Sequence, residues 1–372
     1  MMMFGWCFQV VFLLIFVLVH INSFSSTPAT PPPPPSSSSS SSSPLFRFGL
    51  IGDVQYGNIE NAPAYKGTRR YVQSLNIYEE AVKDWNTIAM SSSSLACAVC
   101  LGDQLDGKTA TLLRQNDCLT DFLAIANGFD GNMHYCFGNH DHYTFERKDL
   151  YKHFIPIDHA QSCSPTKLYY DFEVYPGWRF IMLDSYDISM CGSSSIENKI
   201  MATKILEKNN PSALKMGGNW FKDLPREKFR YVPYNGRVSD SQLAWLWDVL
   251  QKAQQDKEKV IVFCHQPIYS PLKPHNLVWN SEEILNTLHS FGDTVQMWVA
   301  GHDHGGQYAV DDTGLHHLVP AAPLECEEGE VSFGHMEVYD DQFILHWKGK
   351  KGGSSDGKSV LTWPSIMNFK TD

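Results

Sequence analysis

The hydrophobic positions fall into two kinds of pattern. Residues 46–51, 96–101, 133–137, 260–264 and 295–300 are short, nearly continuous apolar runs. Runs of that length with no polar face read as strands buried on both sides, the habit of a parallel sheet. Between them apolar residues recur at helical spacing. Tyr71, Leu75, Tyr78, Ala81, Val82 and Trp85 predict a helix over 69–90, and further helices are predicted over 109–127, 239–254 and 281–291. Ser239 and Asp240 supply the cap for the helix at 239–254, with Leu243, Leu246, Trp247 and Leu250 facing inward. Strand and helix alternate, which is the arrangement of an α/β domain.

Elsewhere the pattern changes. Residues 168–174 and 179–184 predict an antiparallel pair turning at Pro176-Gly177. From 185 to 237 periodicity is weak and Gly, Asn and Pro are frequent, which predicts a lid or binding segment. Residues 316–319, 335–339 and 343–347 predict antiparallel strands, and 350–372 a polar tail with little to bury. At the other end, residues 4–19 are apolar apart from Gln9, and 27–44 form a Pro/Ser tract whose composition builds no core. The folded domain is therefore placed at 44–349, behind a leader over 1–43. The apolar stretch is short for a membrane span, and no Lys or Arg precedes it. Signal, signal-anchor and an extension without a targeting role all stay open.

Each long apolar run ends in polar residues, and ligands of α/β sheets sit outside the carboxyl ends of the strands. Those ends carry Asp53 and Gln55, then Asp103, then Asn139 and His140, then His265, then His302 and His304. Taken singly, each has a plain structural reading: Gly-Asp after a strand is a turn, and one histidine is usually just a satisfied histidine. Taken together at successive strand ends, they describe a site. Carboxylate, amide and imidazole without thiolate suit divalent ions such as Mn²⁺, Fe²⁺ or Zn²⁺. Two such ions about 3.5–4 Å apart clamp phosphate oxygens and activate water for in-line attack on phosphorus.

Composition agrees. At 43% hydrophobic and 13% aromatic the chain fills a sizeable core, and a net charge of −11 favours cations over a nucleic-acid backbone. The nine cysteines form no even framework. Cys97 and Cys100 lie in a strand-like run, where they read as buried small hydrophobes rather than a zinc or redox pair. Cys264 abuts His265, a liability in an oxidising compartment, and no Asn-x-Ser/Thr acceptor occurs. An intracellular catalytic domain is the expectation.

In their order and spacing, these strand ends resemble the calcineurin-like metallophosphoesterases. That family carries Gly-Asp-x-His, Gly-Asp-x-x-Asp-Gly, Gly-Asn-His-Asp/Glu, a lone His after a strand, and Gly-His-x-His. Here the motifs read Gly52-Asp53-Val54-Gln55, Gly102-Asp103-Gln104-Leu105-Asp106-Gly107, Gly138-Asn139-His140-Asp141, His265 and Gly301-His302-Asp303-His304. The resemblance implies an α/β fold of two mixed β-sheets sandwiched together and flanked by helices, with a dinuclear metal site at the strand ends. Gln55 stands where most of the family has His. That departure resembles one branch, the manganese-dependent ADP-ribose/CDP-alcohol diphosphatases, as do residues 183–187, Tyr234-Asn235-Gly236 and residues 311–317.

Carried over residue by residue, the resemblance implies two divalent ions, Mn²⁺ foremost, with Zn²⁺, Fe²⁺ or Mg²⁺ as substitutes. One ion takes Asp53, Gln55, Asp103 and His304; the other takes Asp103, Asn139, His265 and His302. His140 stands off the ions as proton donor, with Asp141 orienting its ring, and Asp106 is read as a turn carboxylate. The implied substrates are nucleoside diphosphate-linked small molecules, ADP-ribose and CDP-alcohols, with no nucleic acid and no stable protein partner. A phosphomonoesterase or cyclic-nucleotide phosphodiesterase on the same fold is the alternative, and a non-catalytic metal-binding scaffold a third reading.

Overall fold

The computed structural model describes residues 43–64, 67–90, 95–215, 217, 219–270, 273–350 and 366–368. The leader up to residue 42 lies outside the described residues. The apolar runs form Phe46–Ile51 (β1), Leu95–Cys100 (β2) and Asn132–Tyr135 (β3). Then come Tyr170–Tyr175 (β4), Trp178–Met182 (β5), Lys259–Cys264 (β6) and Val295–Ala300 (β7). Gln307–Val310 (β8), His316–Val319 (β9), Ser332–Val338 (β10), Gln342–Gly349 (β11) and Ile366–Asn368 (β12) complete the two large sheets.

One six-stranded sheet runs β12–β11–β10–β1–β2–β3, the other β8–β9–β7–β6–β5–β4. In the first, β1, β2 and β3 are parallel, and β10, β11 and β12 are added antiparallel. In the second, β5, β6, β7 and β9 are parallel, with β4 and β8 antiparallel at the edges. Both sheets are mixed, as the resemblance implied.

The continuous apolar runs are explained by layering. One face of each sheet meets the other sheet. Phe48 lies edge-on to Phe180 and Phe263, at ring-centroid distances of 5.0 and 5.8 Å. Such pairs add about 0.5–1.5 kcal/mol beyond their burial. The outer face of the first sheet is covered by Tyr71–Met90 and Gln115–Ala126 through Tyr78, Trp85 and Phe122. The outer face of the second is covered by Asp240–Asp256 and Ser281–His289 through Leu246, Leu250, Ile284 and Leu288. A strand with apolar neighbours on both sides needs no polar alternation.

Several expectations are corrected. The helix expected over 109–127 is broken into Lys108–Thr111 and Gln115–Ala126, with Leu113 between them at φ 56°. The first piece is tied to the preceding loop, because Asp106 accepts from the Lys108 and Thr109 amides. Within 185–237 the chain forms a 14-residue helix, Ile196–Asn209, capped by Ser195. Its periodicity was invisible because Ile196 and Ile200 are exposed, while only Ala202 and Leu206 are buried. Ser239 caps its helix as expected, accepting from the Gln242 amide. Trp247 is 43% exposed rather than inward, and lies on Phe291. β9 pairs antiparallel with β8, a strand that was not foreseen, and parallel with β7 on its other edge. In the stretch read as a polar tail, β12 pairs with β11 and buries Met367.

Cys97 and Cys100 are buried in β2, and the eight cysteines among the described residues are all free. Among those residues no helix is long and apolar enough to cross a membrane.

Candidate metal centre at the strand ends

Short side chains converge on one point only if the backbone carries them there. Asp53, Gln55, Asp103 and His302 all have positive φ, at 50°, 41°, 54° and 67°. For residues with a Cβ that conformation costs on the order of 1–3 kcal/mol each, so its concentration at one place marks a functional constraint. Gly102 shares that kind of backbone, at φ 100°, but Gly138 and Gly301 act differently. Gly138 has an extended backbone, φ −107° and ψ 178°, so no left-handed turn requires it. Space does: a Cβ there would lie 2.0 Å from Asp103 Oδ1 and 2.6 Å from His265 Cε1. A Cβ on Gly301 would lie 2.6 Å from Asp53 Oδ2, and one on Gly102 2.3 Å from His265 Nδ1.

The donors fall into two groups that share one carboxylate. Asp103, His265 and His302 present ligand atoms within 4.8 Å of one another, and so do Asp53, Asp103 and His304. Asp53 and Asp103 are 0% and 1% exposed. Gln55 Nε2 is 3.1 Å from Asp103 Oδ2 and 2.8 Å from His304 Nε2, while its Oε1 is buried without a hydrogen-bond partner. A half turn of that amide puts its oxygen among the donors instead. Asn139, at the start of the helix Asn139–Thr144, accepts from the Tyr186 hydroxyl through Oδ1 at 3.3 Å. The structure thus brings Asp53, Gln55, Asp103, Asn139, His265, His302 and His304 to one place.

The rear hydrogen bonds of the imidazoles fix their tautomers. His265 Nδ1 is 2.8 Å from the Leu101 carbonyl, which only accepts, so Nδ1 carries the proton and Nε2 a lone pair. His302 Nε2 is 2.9 Å from Asn235 Oδ1. That oxygen also takes the Gln266 amide, while Asn235 Nδ2 donates to the Arg230 and His275 carbonyls, so the amide orientation is settled. His302 Nδ1 is therefore a lone pair, and it faces His265 Nε2 at 3.2 Å. Two nitrogen lone pairs pointed at each other beside a buried carboxylate call for a cation. Burial would depress His265, yet the adjoining Asp103 carboxylate lifts it to about 9, the same demand for positive charge met by a proton. Against the burial that would raise it, His265 and His140 hold Asp103 well below the usual carboxylate range. Burial and the His265 charge push His302 well down. The donor set fits two divalent ions.

His140 lies beside this group, its backbone N–H donating to Asp103 Oδ1 at 2.8 Å. Its ring is oriented by residues the sequence reading assigned otherwise. The Gly107 amide donates to Nδ1 at 3.1 Å, and Asp106 Oδ2 stands 3.1 Å from the same nitrogen. Asp106, read as a turn carboxylate, keeps that role through Oδ1 and the Lys108 amide; its place behind His140 through Oδ2 is the addition. The signal was its spacing: three residues after Asp103, it shares that loop. Asp141, expected to orient the ring, instead accepts from the backbone amides of Asp103, Gln104 and Gly138, at 2.8, 2.9 and 2.8 Å. Burial and Asp103 push its carboxyl up, but three N–H donors favour the ionised form. Asp141 ties the end of β2 to the end of β3.

Two further residues escaped the sequence reading. Tyr186 holds Asn139, and Glu325 Oε1 lies 2.8 Å from His304 Nδ1. Glu325 gave no signal, since neither periodicity nor motif surrounds it. In the segment 185–237, the Tyr234 ring lies 5.7 Å from that of His302 and 6.0 Å from Trp220, whereas Phe221 packs on Phe229.

Comparison with known proteins gives a consistent picture. Residues 46–306 match the family model of the calcineurin-like phosphoesterases. The chain is 37% identical over 309 residues to the manganese-dependent ADP-ribose/CDP-alcohol diphosphatase of Arabidopsis thaliana, covering 81% of this chain and 94% of that protein. It is 33% identical over 319 residues to the human protein of the same name, covering 82% and 91%. Among solved structures, it resembles a dimetal phosphatase from Danio rerio with a TM-score of 0.77 and 28% identity, over 88% of this chain and 100% of that one.

Proposed function

The chain belongs to the calcineurin-like phosphoesterase family, and from that membership we propose that it is a manganese-dependent hydrolase of the pyrophosphate bond in ADP-ribose and CDP-alcohols. The observation that carries this reading is the pair of donor groups meeting at Asp103, with His140 alongside. Asp53, Gln55, Asp103 and His304 would hold one ion; Asp103, Asn139, His265 and His302 the other. When bound, the ions supply Lewis-acid polarisation of phosphate oxygens and a strongly acidified water.

The chain's own residues do the rest. With the Gly107 amide donating to Nδ1, a neutral His140 ring carries its proton on Nε2. With the ring doubly protonated, the Asp106 carboxylate stands 3.1 Å from Nδ1, and Nε2 still carries a proton. The doubly protonated ring has a proton at Nε2 to give to the departing phosphate oxygen, and the neutral ring has a hydrogen bond to donate there. A phosphate monoester leaves more readily than a sugar alkoxide, so one such donor suffices for a pyrophosphate. Tyr234, backed by Trp220, forms an aromatic wall beside His302 on which a nucleobase stacks. ADP-ribose then yields AMP and ribose 5-phosphate, and CDP-choline yields CMP and phosphocholine.

The test is hydrolysis in ¹⁸O-labelled water with Mn²⁺ and Mg²⁺ in parallel, and mass spectrometry of both products. The expected result is a pair of monophosphates, with label in one of them and Mn²⁺ preferred. Free phosphate or a free nucleoside as the first product would move the enzyme to the phosphomonoesterase reading.

A further inference from the structure

The rear nitrogens of the three imidazoles meet unlike partners. His265 is backed by a backbone carbonyl and His302 by a neutral amide oxygen, at 2.8 and 2.9 Å. His304 is backed by a carboxylate, Glu325 Oε1, at 2.8 Å. The carboxylate only accepts, so Nδ1 carries the proton donated to Glu325 and the front nitrogen, Nε2, keeps a lone pair. The contact is built in on both sides. The Ala322 amide donates to the His304 carbonyl at 3.0 Å, and the turn Pro323–Glu325 follows at once. Lys350 Nζ donates to the Glu325 carbonyl at 2.9 Å, and Arg69 Nε stands 4.0 Å from Oε1. Both side chains are mostly covered, at 15% and 16% exposure.

The geometry points to Glu325 as a positioning residue that compensates for Gln55. The group Asp53, Gln55, Asp103 and His304 has a single imidazole, because an amide stands where a second would strengthen it. A carboxylate behind that imidazole fixes its tautomer and orientation and makes Nε2 a stronger donor; a neutral oxygen does the first two only. The other group keeps two imidazoles and has neutral oxygens behind both. Charge is placed where an imidazole is lacking. This inference rests on the reading of His304 as a ligand given above.

The full chain, stripped of metal, is titrated calorimetrically with Mn²⁺ alone, as wild type, Glu325→Gln, Glu325→Ala and His304→Ala, with the melting temperature of each metal-stripped protein recorded. Glu325→Gln is the isosteric variant that keeps a hydrogen-bond acceptor and removes only the charge. Expected are two binding events in the wild type. Glu325→Gln should weaken one of them about 10-fold and Glu325→Ala about 10–100-fold, with the other event and the melting temperature unchanged. His304→Ala should abolish the same event. If His304→Ala weakens one event and Glu325→Gln weakens neither, the inference falls while the ligand reading stands. If His304→Ala leaves both events intact, the ligand reading falls and takes the inference with it. Equal weakening of both events together with a lower melting temperature would make Glu325 merely structural and overturn the proposal.

Discussion

The carboxyl ends of the first sheet carry Asp53, Gln55, Asp103 and Asn139, all oxygen donors, whereas the second sheet brings His265, His302 and His304, all imidazoles. The two sides reach the centre by different means. At Asp53, Gln55 and Asp103 the backbone itself bends into positive φ to aim the side chain. The imidazoles are longer and are aimed from behind, by Leu101, Asn235 and Glu325. His302 uses both devices, with φ 67° and the Asn235 contact. On the oxygen side the chain's conformation sets the geometry of Asp53, Gln55 and Asp103, with Asn139 held by Tyr186; on the nitrogen side a hydrogen-bond partner does. Asp103 is the donor that the two groups share, so its loss strikes both sides at once.

Asp103→Asn should lower turnover by ~10⁴-fold, about 5.5 kcal/mol of barrier, and deplete both ions as measured by elemental analysis. Retention of one full equivalent would show that the groups do not depend on their shared carboxylate. Next in size is His140→Ala, which removes the proton donor and leaves the oxygen and imidazole donors in place. Turnover should fall by ~10²–10⁴-fold, while both ions stay bound. Loss of an ion with the activity would make His140 a ligand instead.

Asp106→Asn sharpens the contrast between aiming by backbone and aiming by partner. It should cost about 10–100-fold in turnover, with metal content unchanged, because only the orientation of His140 is disturbed. A wild-type rate would leave Asp106 with its turn role alone. The smallest effect is expected from Gln55→His, which puts an imidazole on the oxygen side. Catalysis should persist, and the ratio of Mn²⁺-supported to Zn²⁺-supported rates should fall several-fold, since imidazole suits the softer ion. A wild type that works best with Zn²⁺ alone would remove the basis for that expectation.

The same contrast explains what was legible in the sequence. The oxygen donors and His265, His302 and His304 each follow an apolar run closely, so the run announces the strand and the strand end announces the site. The partners that aim them do not. Glu325 lies in a short turn after Pro323 with nothing local to mark it, and Asn235, though part of the Tyr234-Asn235-Gly236 resemblance, carries no sign that it backs His302. Asp106 was legible as a turn residue but not as the carboxylate behind His140, because which carboxylate meets that ring depends on how two loops meet. Amphipathic packing was legible where a helix buries a full stripe, as at Leu246 and Leu250, and failed where little is buried, as at Ile196 and Ile200. Leu113 misled through composition alone, being apolar yet 85% exposed between two helical pieces.

Gly102, Gly138 and Gly301 offer no side chain to any ion, yet a single added methyl at each would overlap Asp103, His265 or Asp53. The spacing of the centre is therefore set partly by atoms that are missing. This restricts the routes by which descendants of this chain can change. An amide can replace an imidazole one codon at a time, as Gln55 illustrates, because the exchanged group projects into room already made for a side chain. No single codon can enlarge a glycine here without displacing one sheet end from another. Ligand identity is thus open to gradual drift, whereas the distance between the ligands is inherited as a block.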